Sequence, residues 1–285
     1  MRGAIVAGQF YEKEFGKLDS QIKECFMSKR GPGETPGKRT NRVIKAVVSP
    51  HAGYQFSGPC AAWAYKEIGE SQFAGVYRII GTSHTDVQEP AITLETFSTP
   101  LGSVVVDRKL ATTLLEKKAV IINDEAHAKE HSIEVQLPFL QFASKDHFNE
   151  LKIVPIITGQ STDYKKLGLD IKEAIMESGR KTVIIASSDF THYGRSYHYI
   201  PFSSDVPTKL YEMDEKAIEF IKNSDADGLM DYCGDTGATI CGNTAIATMI
   251  NAVKAKKAKL LQYYTSGDVL NDYKSAVGYA SMVIE

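Results

Sequence analysis

Between residues 43 and 186 the chain alternates short β-branched runs with longer stretches of helical periodicity. Val43 to Ser49, Val76 to Gly81, Leu151 to Thr158 and Thr182 to Ala186 are nearly continuous apolar runs, the pattern of strands covered on both faces. Ala91 to Phe97, Ser103 to Val106 and Val120 to Ile122 read as shorter strands near an edge or hairpin, and Leu260 to Thr265 and Ala276 to Val283 as two closing strands. A helix is predicted over Lys17 to Ser28, where Leu18, Ile22 and Phe26 recur on one face. Further helices are predicted over Cys60 to Ile68, Leu110 to Glu116, Ile133 to Phe142, Tyr164 to Glu177, Thr208 to Lys222 and Thr244 to Lys257. Gly31 to Arg42, rich in Gly, Pro and charge, reads as a loop. Its Gly37-Lys38-Arg39 is not a phosphate-binding loop, because the glycines and the closing Ser/Thr are misplaced and the segment precedes a strand. Strands alternating with helices predict an α/β fold with a central largely parallel or mixed sheet flanked by helices. With no repeat or low-complexity linker to divide it, residues 1–285 are expected to form a single domain.

Composition narrows the partners. A chain of 285 residues that is 43% hydrophobic can bury a core without disulfides or a structural metal. With 33 basic against 35 acidic residues, there is no electrostatic footprint for nucleic acid or an anionic membrane, so a small-molecule or peptide ligand is expected. No apolar run approaches the roughly 18 residues of a membrane span. The N-terminus reaches Glu12, Lys13 and Glu14 without the apolar core of a signal peptide, which predicts a cytoplasmic location. Cys25, Cys60, Cys233 and Cys241 are then reduced thiols, the first three lying in helix-like apolar segments where packing explains them.

Candidate chemistry is concentrated directly after predicted strands. Ser49-Pro50-His51-Ala52-Gly53-Tyr54, Gly81-Thr82-Ser83-His84-Thr85-Asp86 and Ser187-Ser188-Asp189-Phe190-Thr191-His192-Tyr193-Gly194 each follow a buried strand. In open α/β sheets such loops share one crevice where ligands bind, which would bring three histidines together. Imidazole is a common ligand of Zn, Cu and Fe, and a transition metal accounts for the clustering. His127 and His131, four apart, would share a helix face, with His131 favoured for the pocket and Glu134 completing a capping arrangement; Glu130 stands in the wrong place for a zinc-protease motif. Cys241 precedes a long apolar-faced helix, whose N-terminus would favour the thiolate.

Taken together these residues resemble the Memo family, the middle member of the AmmeMemoRadiSam group. The likeness runs through Ala7-Gly8-Gln9-Phe10-Tyr11, Pro50-His51-Ala52-Gly53-Tyr54, Phe56-Ser57-Gly58-Pro59, Gly81-Thr82-Ser83-His84, Glu130-His131-Ser132-Ile133-Glu134-Val135-Gln136-Leu137-Pro138-Phe139-Leu140, Ser187 to Gly194 and Cys241-Gly242. The resemblance implies a fold similar to that of class III extradiol dioxygenases. It also implies metal ligation by His51, His84 and Cys241, with His192 in the place of a catalytic acid/base and Asp189 in the same vestibule. A thiol stands where the dioxygenases use a carboxylate, so ring cleavage does not carry over with the fold. The softer donor draws preference from Fe(II) toward copper or zinc, leaving Fe or Cu as the expected cofactor and Zn as a further option.

Three functions remain open on the sequence. The first is a metal-dependent redox enzyme with His192 as proton shuttle and Tyr54, His131 and Tyr193 lining the substrate end. In the second the same pocket only binds a metal or a peptide, although Arg195 and Lys38 are the sole nearby cations for a phosphorylated one. The third is nucleophilic catalysis by Cys241 with His192 as base and Asp189 as orienter.

Overall fold

A computed structural model describes residues 1–253 and 257–285. In chain order the elements are α1 (Phe15–Met27), β1 (Ala46–Ser49), α2 (Tyr54–Glu70), β2 (Val76–Thr82), β3 (Ala91–Ile92), β4 (Phe97–Thr99), β5 (Gly102–Val106), α3 (Arg108–Glu116) and β6 (Ile121–Ile122). They continue with α4 (Asp124–Lys129), α5 (Gln136–Ala143), β7 (Lys152–Thr158), α6 (Tyr164–Ser178), β8 (Thr182–Ser187), β9 (His192–Gly194), α7 (Val206–Lys222), α8 (Ala226–Thr236), α9 (Asn243–Ala252), β10 (Ala258–Thr265), α10 (Ser266–Leu270) and β11 (Ser275–Ile284).

The strands join one mixed sheet whose main path runs β10-β11-β1-β8-β2-β7-β3-β6. Its centre, β1-β8-β2-β7, is parallel throughout. Every residue of β1 and β2 is buried, which is why those strands read as unbroken apolar runs. On one side β11 runs antiparallel to β1 and β10 to β11. On the other β3 is antiparallel to β7, β6 is parallel to β3, and β5 runs beside the start of β7 while closing a hairpin with β4. Apart from the short α4 and α10, the helices form two groups flanking the sheet, each packed within itself: α1, α2 and α5, and α3, α6, α7, α8 and α9. No helix among the described residues is long and apolar enough to cross a membrane.

Several boundaries differ from the sequence expectation. α2 starts at Tyr54 rather than Cys60, because Gly58-Pro59, a turn signal in isolation, lies inside the helix. Gly58 is needed there for close approach of α1, since a Cβ at this position would meet Cys25 Sγ at 2.5 Å. The expected strand Val43 to Ser49 is shortened to β1, and Ala91 to Phe97 breaks into β3 and β4. The expected helix from Ile133 begins only at Gln136. α8, α10 and β9 were not expected, and the helical turn considered around His127 is α4, which ends before His131. α9 ends at Ala252, and residues 254–256 of the expected helix Thr244 to Lys257 lie outside the described residues.

Candidate metal centre

The three polar clusters leave β1, β8 and β2, which are neighbours in the sheet, so parallel pairing delivers all three to one edge. His51 follows β1 by way of Pro50 and is 1% exposed. Its backbone N–H donates to Asp189 Oδ1 at 2.8 Å, and its Nδ1 lies 3.0 Å from Ser187 Oγ. That hydroxyl has one proton, which it donates to the Ser132 carbonyl at 2.6 Å, and it accepts from Gln136 Nε2 at 2.8 Å. Ser187 can therefore only accept from His51, which fixes the proton on Nδ1 and leaves the Nε2 lone pair facing the cleft.

His84 is set in the same way by a carboxylate. Glu130 Oε1 accepts from its Nδ1 at 2.9 Å and Oε2 from its backbone N–H at 2.7 Å, again leaving Nε2 free. Glu130 Oε1 also accepts from the amides of His131 and Ser132, each at 2.7 Å. Burial alone would raise the Glu130 pKa, but the His84 ring and these amides overturn that and hold the carboxyl well below the usual range. Burial would likewise lower His84, and the Glu130 carboxylate raises it instead. For His51 burial dominates, reinforced by His84 and His131, and keeps the ring neutral.

Cys241 comes from the turn between α8 and α9. Gly242 lets that turn press on the end of β8: its N–H donates to Ser188 Oγ at 3.0 Å, and a Cβ here would meet Ser188 Cβ at 2.5 Å. Cys241 Sγ lies 3.3 Å from His51 Nε2 and accepts from the Asp189 amide at 3.3 Å. One ligand atom each from His51, His84 and Cys241 all fall within 4.8 Å of one another. The expectation of a depressed thiol pKa is corrected here. Burial, with the Asp189 carboxylate adding to it, pushes the thiol well above its ordinary value, so the helix terminus does not decide its charge and a cation would be needed to make the thiolate.

Other expected residues divide between the cleft and the core. His131 is in the cleft, its ring stacked on His84 with centroids 4.4 Å apart and flanked by Phe10 at 4.8 Å. His127 is not: α4 stops at Lys129, so the two histidines share no helix face, and His127 Nε2 is 3.1 Å from the Ala91 carbonyl, with burial lowering its pKa to about 4. Asn123, not Glu134, caps α4. His192 lines the cleft with its Nδ1 donating to the Thr239 carbonyl at 3.0 Å, which leaves Nε2 as an acceptor. Asp189 lines it too, and burial raises its pKa against the opposing influence of His192. Asp189 makes no hydrogen bond to the His192 ring, so the arrangement needed for a Cys-His-Asp nucleophile is not formed.

Tyr54 and Tyr193, expected at the substrate end, are core residues. Tyr54 is 1% exposed, donates its hydroxyl to the Val135 carbonyl at 2.7 Å and packs on Phe139. Tyr193 stacks on Phe202 and donates to that residue's carbonyl at 2.7 Å. The aromatic wall is supplied instead by Phe10, Phe56, Tyr197 and Tyr279, with Leu270 and Val277, around a cleft of 440 Å³. Among the described residues the cleft contains no Lys or Arg, and neither Arg195 nor Lys38 reaches it. Glu130, Ser187, Gln136 and Thr239, which fix the ring protons, went unassigned in the sequence, although Ser187 and Glu130 each adjoin a recognised histidine cluster.

A model of the family described as Memo-like protein matches residues 2–283. A MEMO1 family protein of Methanopyrus kandleri is 39% identical over 289 residues, covering 99% of this chain and 98% of that protein. One of Pyrococcus horikoshii is 38% identical over 295 residues, covering 100% and 99%. Among solved structures, an uncharacterized protein of Escherichia coli K12 superposes with a TM-score of 0.54 at 11% identity, covering 85% of this chain and 100% of that one, a likeness of fold alone.

Proposed function

The chain belongs to the Memo family, and from that premise we propose that His51, His84 and Cys241 hold a transition metal, iron or copper, at the floor of a cleft that admits a small-molecule substrate for oxidation or reduction. One observation carries this reading: both histidines have their Nδ1 atoms committed to neighbours, so the two Nε2 atoms face the cleft, where the Cys241 sulphur lies 3.3 Å from that of His51. Two imidazoles and a thiol are a borderline-to-soft donor set, suited to copper, iron or zinc and unsuited to magnesium or calcium. Such an ion, when bound, would supply one-electron chemistry and a Lewis-acidic coordination position.

The protein's own groups supply the rest. His192 Nε2 can take a proton from a bound ligand or return one, because the Thr239 carbonyl keeps the opposite nitrogen protonated. Asp189 stands beside it and fixes the turn of His51 through two amide hydrogen bonds. The apolar wall excludes water from one side of the substrate, and the lack of Lys and Arg among the described lining residues disfavours phosphorylated peptides as the occupant.

Elemental analysis of freshly purified protein beside a Cys241→Ser variant tests the centre. About one iron or copper per chain is expected, with affinity falling roughly tenfold or more in the variant. Failure of the wild type to take up Fe(II), Cu(I) or Zn(II) would falsify the centre. Zinc alone, with no oxygen uptake in the presence of reductant after loading with iron or copper, would keep the centre and remove the redox role.

A further inference from the structure

Beneath the loop that carries Asp189 and His192 lies a carboxylate with no part in the cleft. Asp214, in the middle of α7, is wholly buried. Its Oδ1 accepts from both the amide and the hydroxyl of Thr191, at 3.2 and 2.6 Å, and its Oδ2 accepts from the Tyr263 hydroxyl of β10 at 2.6 Å. The room for it is made by Gly278 of β11, where a Cβ would meet Asp214 Oδ2 at 2.1 Å. The same glycine completes the restraint, its N–H donating to the Thr191 carbonyl at 3.0 Å and its carbonyl accepting from the Phe190 amide at 2.8 Å. Every polar group of Thr191 is thus held from below, one residue before His192.

A buried carboxylate is an expensive way to hold a loop. The titratable groups it acts on among the described residues are Tyr263, Tyr199, Tyr232 and Cys233. Burial raises its pKa to about 6 against the three hydrogen bonds that oppose the rise. A carboxylate is nevertheless the short side chain able to accept from an amide and a hydroxyl on one oxygen while a third donor engages the other. We infer that Asp214 is a positioning residue for His192: it pins Thr191 so that the following imidazole keeps Nδ1 on Thr239 and Nε2 in the cleft. This rests on the proposed role of His192 but not on any metal being bound.

Nitrogen NMR of the histidine rings, on the metal-stripped full chain, tests it. Wild-type protein is expected to show His192 as a single tautomer protonated at Nδ1. In Asp214→Ala the His192 tautomers mix. His51 and His84, held by Ser187 and Glu130, keep their signals. Asp214→Asn, which retains an oxygen for Thr191, restores the wild-type tautomer. An unchanged His192 in folded Asp214→Ala overturns the assignment, as does an equal disturbance of all three rings. Should Asp214→Ala not fold, Thr191→Val removes one of the two donors, and a His192 signal unmoved by it likewise overturns the inference. Because the readout needs no ion, an empty centre and a failed anchor give different results.

Discussion

Glu130 and Glu134 are four residues apart, both almost wholly buried, and they do opposite things. Glu134 is spent on the fold: Oε2 pairs with Arg2 and accepts the Ile5 amide at 3.0 Å, while Oε1 accepts the Val6 amide at 3.0 Å and the Tyr11 hydroxyl at 2.6 Å. These bonds tie the N-terminal segment to the body, and Arg2 continues them to the carbonyls of His127 and Glu130. Glu130 gives its oxygens to a cleft-facing imidazole and to the amides around it. Burial and charge alone therefore do not separate an anchor from a site residue. The separation lies in the partner, a guanidinium that closes the network in one case and a ring with a free second nitrogen in the other.

The sharpest way to break this contrast is Glu134→Ala. It leaves a buried guanidinium without its counter-charge and is expected to destabilise the fold by about 3–5 kcal/mol in urea or thermal unfolding, while the folded fraction still binds metal. A loss of metal affinity with unchanged stability would reverse the roles of the two residues. Glu130→Gln comes next, with a roughly 10–100-fold loss of metal affinity, or about 1.4–2.8 kcal/mol, in a competition titration. The same variant tests the acid side. Because Glu130 titrates below its ordinary value of 4.5, its contribution to stability is complete above that pH and disappears as pH falls through the lowered value. Glu130→Gln should lack that segment of the acid-unfolding curve, and an identical curve would show that the carboxylate is not held ionised. The smallest effect is expected of Tyr54→Phe, about 1 kcal/mol from the lost bond to Val135 with metal content unaltered; a drop in bound metal would return Tyr54 to the site.

The features legible in the sequence were those with a one-dimensional signature. Buried parallel strands leave β-branched runs, and the polar residues that follow them lie at a common edge whatever the order of the strands, so His51, His84, Asp189 and His192 could be grouped without knowing that β8 lies between β1 and β2. Tyr54 and Tyr193 were misplaced because adjacency to such a cluster says nothing of side-chain direction; one opens α2 toward Phe139 and the other alternates inward from His192 along β9. α8 went unseen because Gly228, Gly234 and several aspartates weaken its periodicity, and its start is marked only by the cap of Asp225 on the Gly228 amide. Glu130 and Ser187 act through three-dimensional hydrogen bonds with no spacing rule, so nothing along the chain distinguishes them from ordinary polar neighbours.

The chain of donors from Gln136 through Ser187 to Ser132 has a kinetic consequence. It decides which nitrogen of the His51 ring carries the proton and which is turned to the cleft before anything arrives, and Glu130 does the same for His84. An incoming ion would find no tautomer to exchange at either ring and little backbone to rearrange. Capture would then be timed by how quickly the ion sheds its own water and by loss of protons from the Cys241 thiol and from the His84 ring, whose pKa Glu130 raises, so uptake should accelerate with pH and should differ between metals in the order of their water-exchange rates.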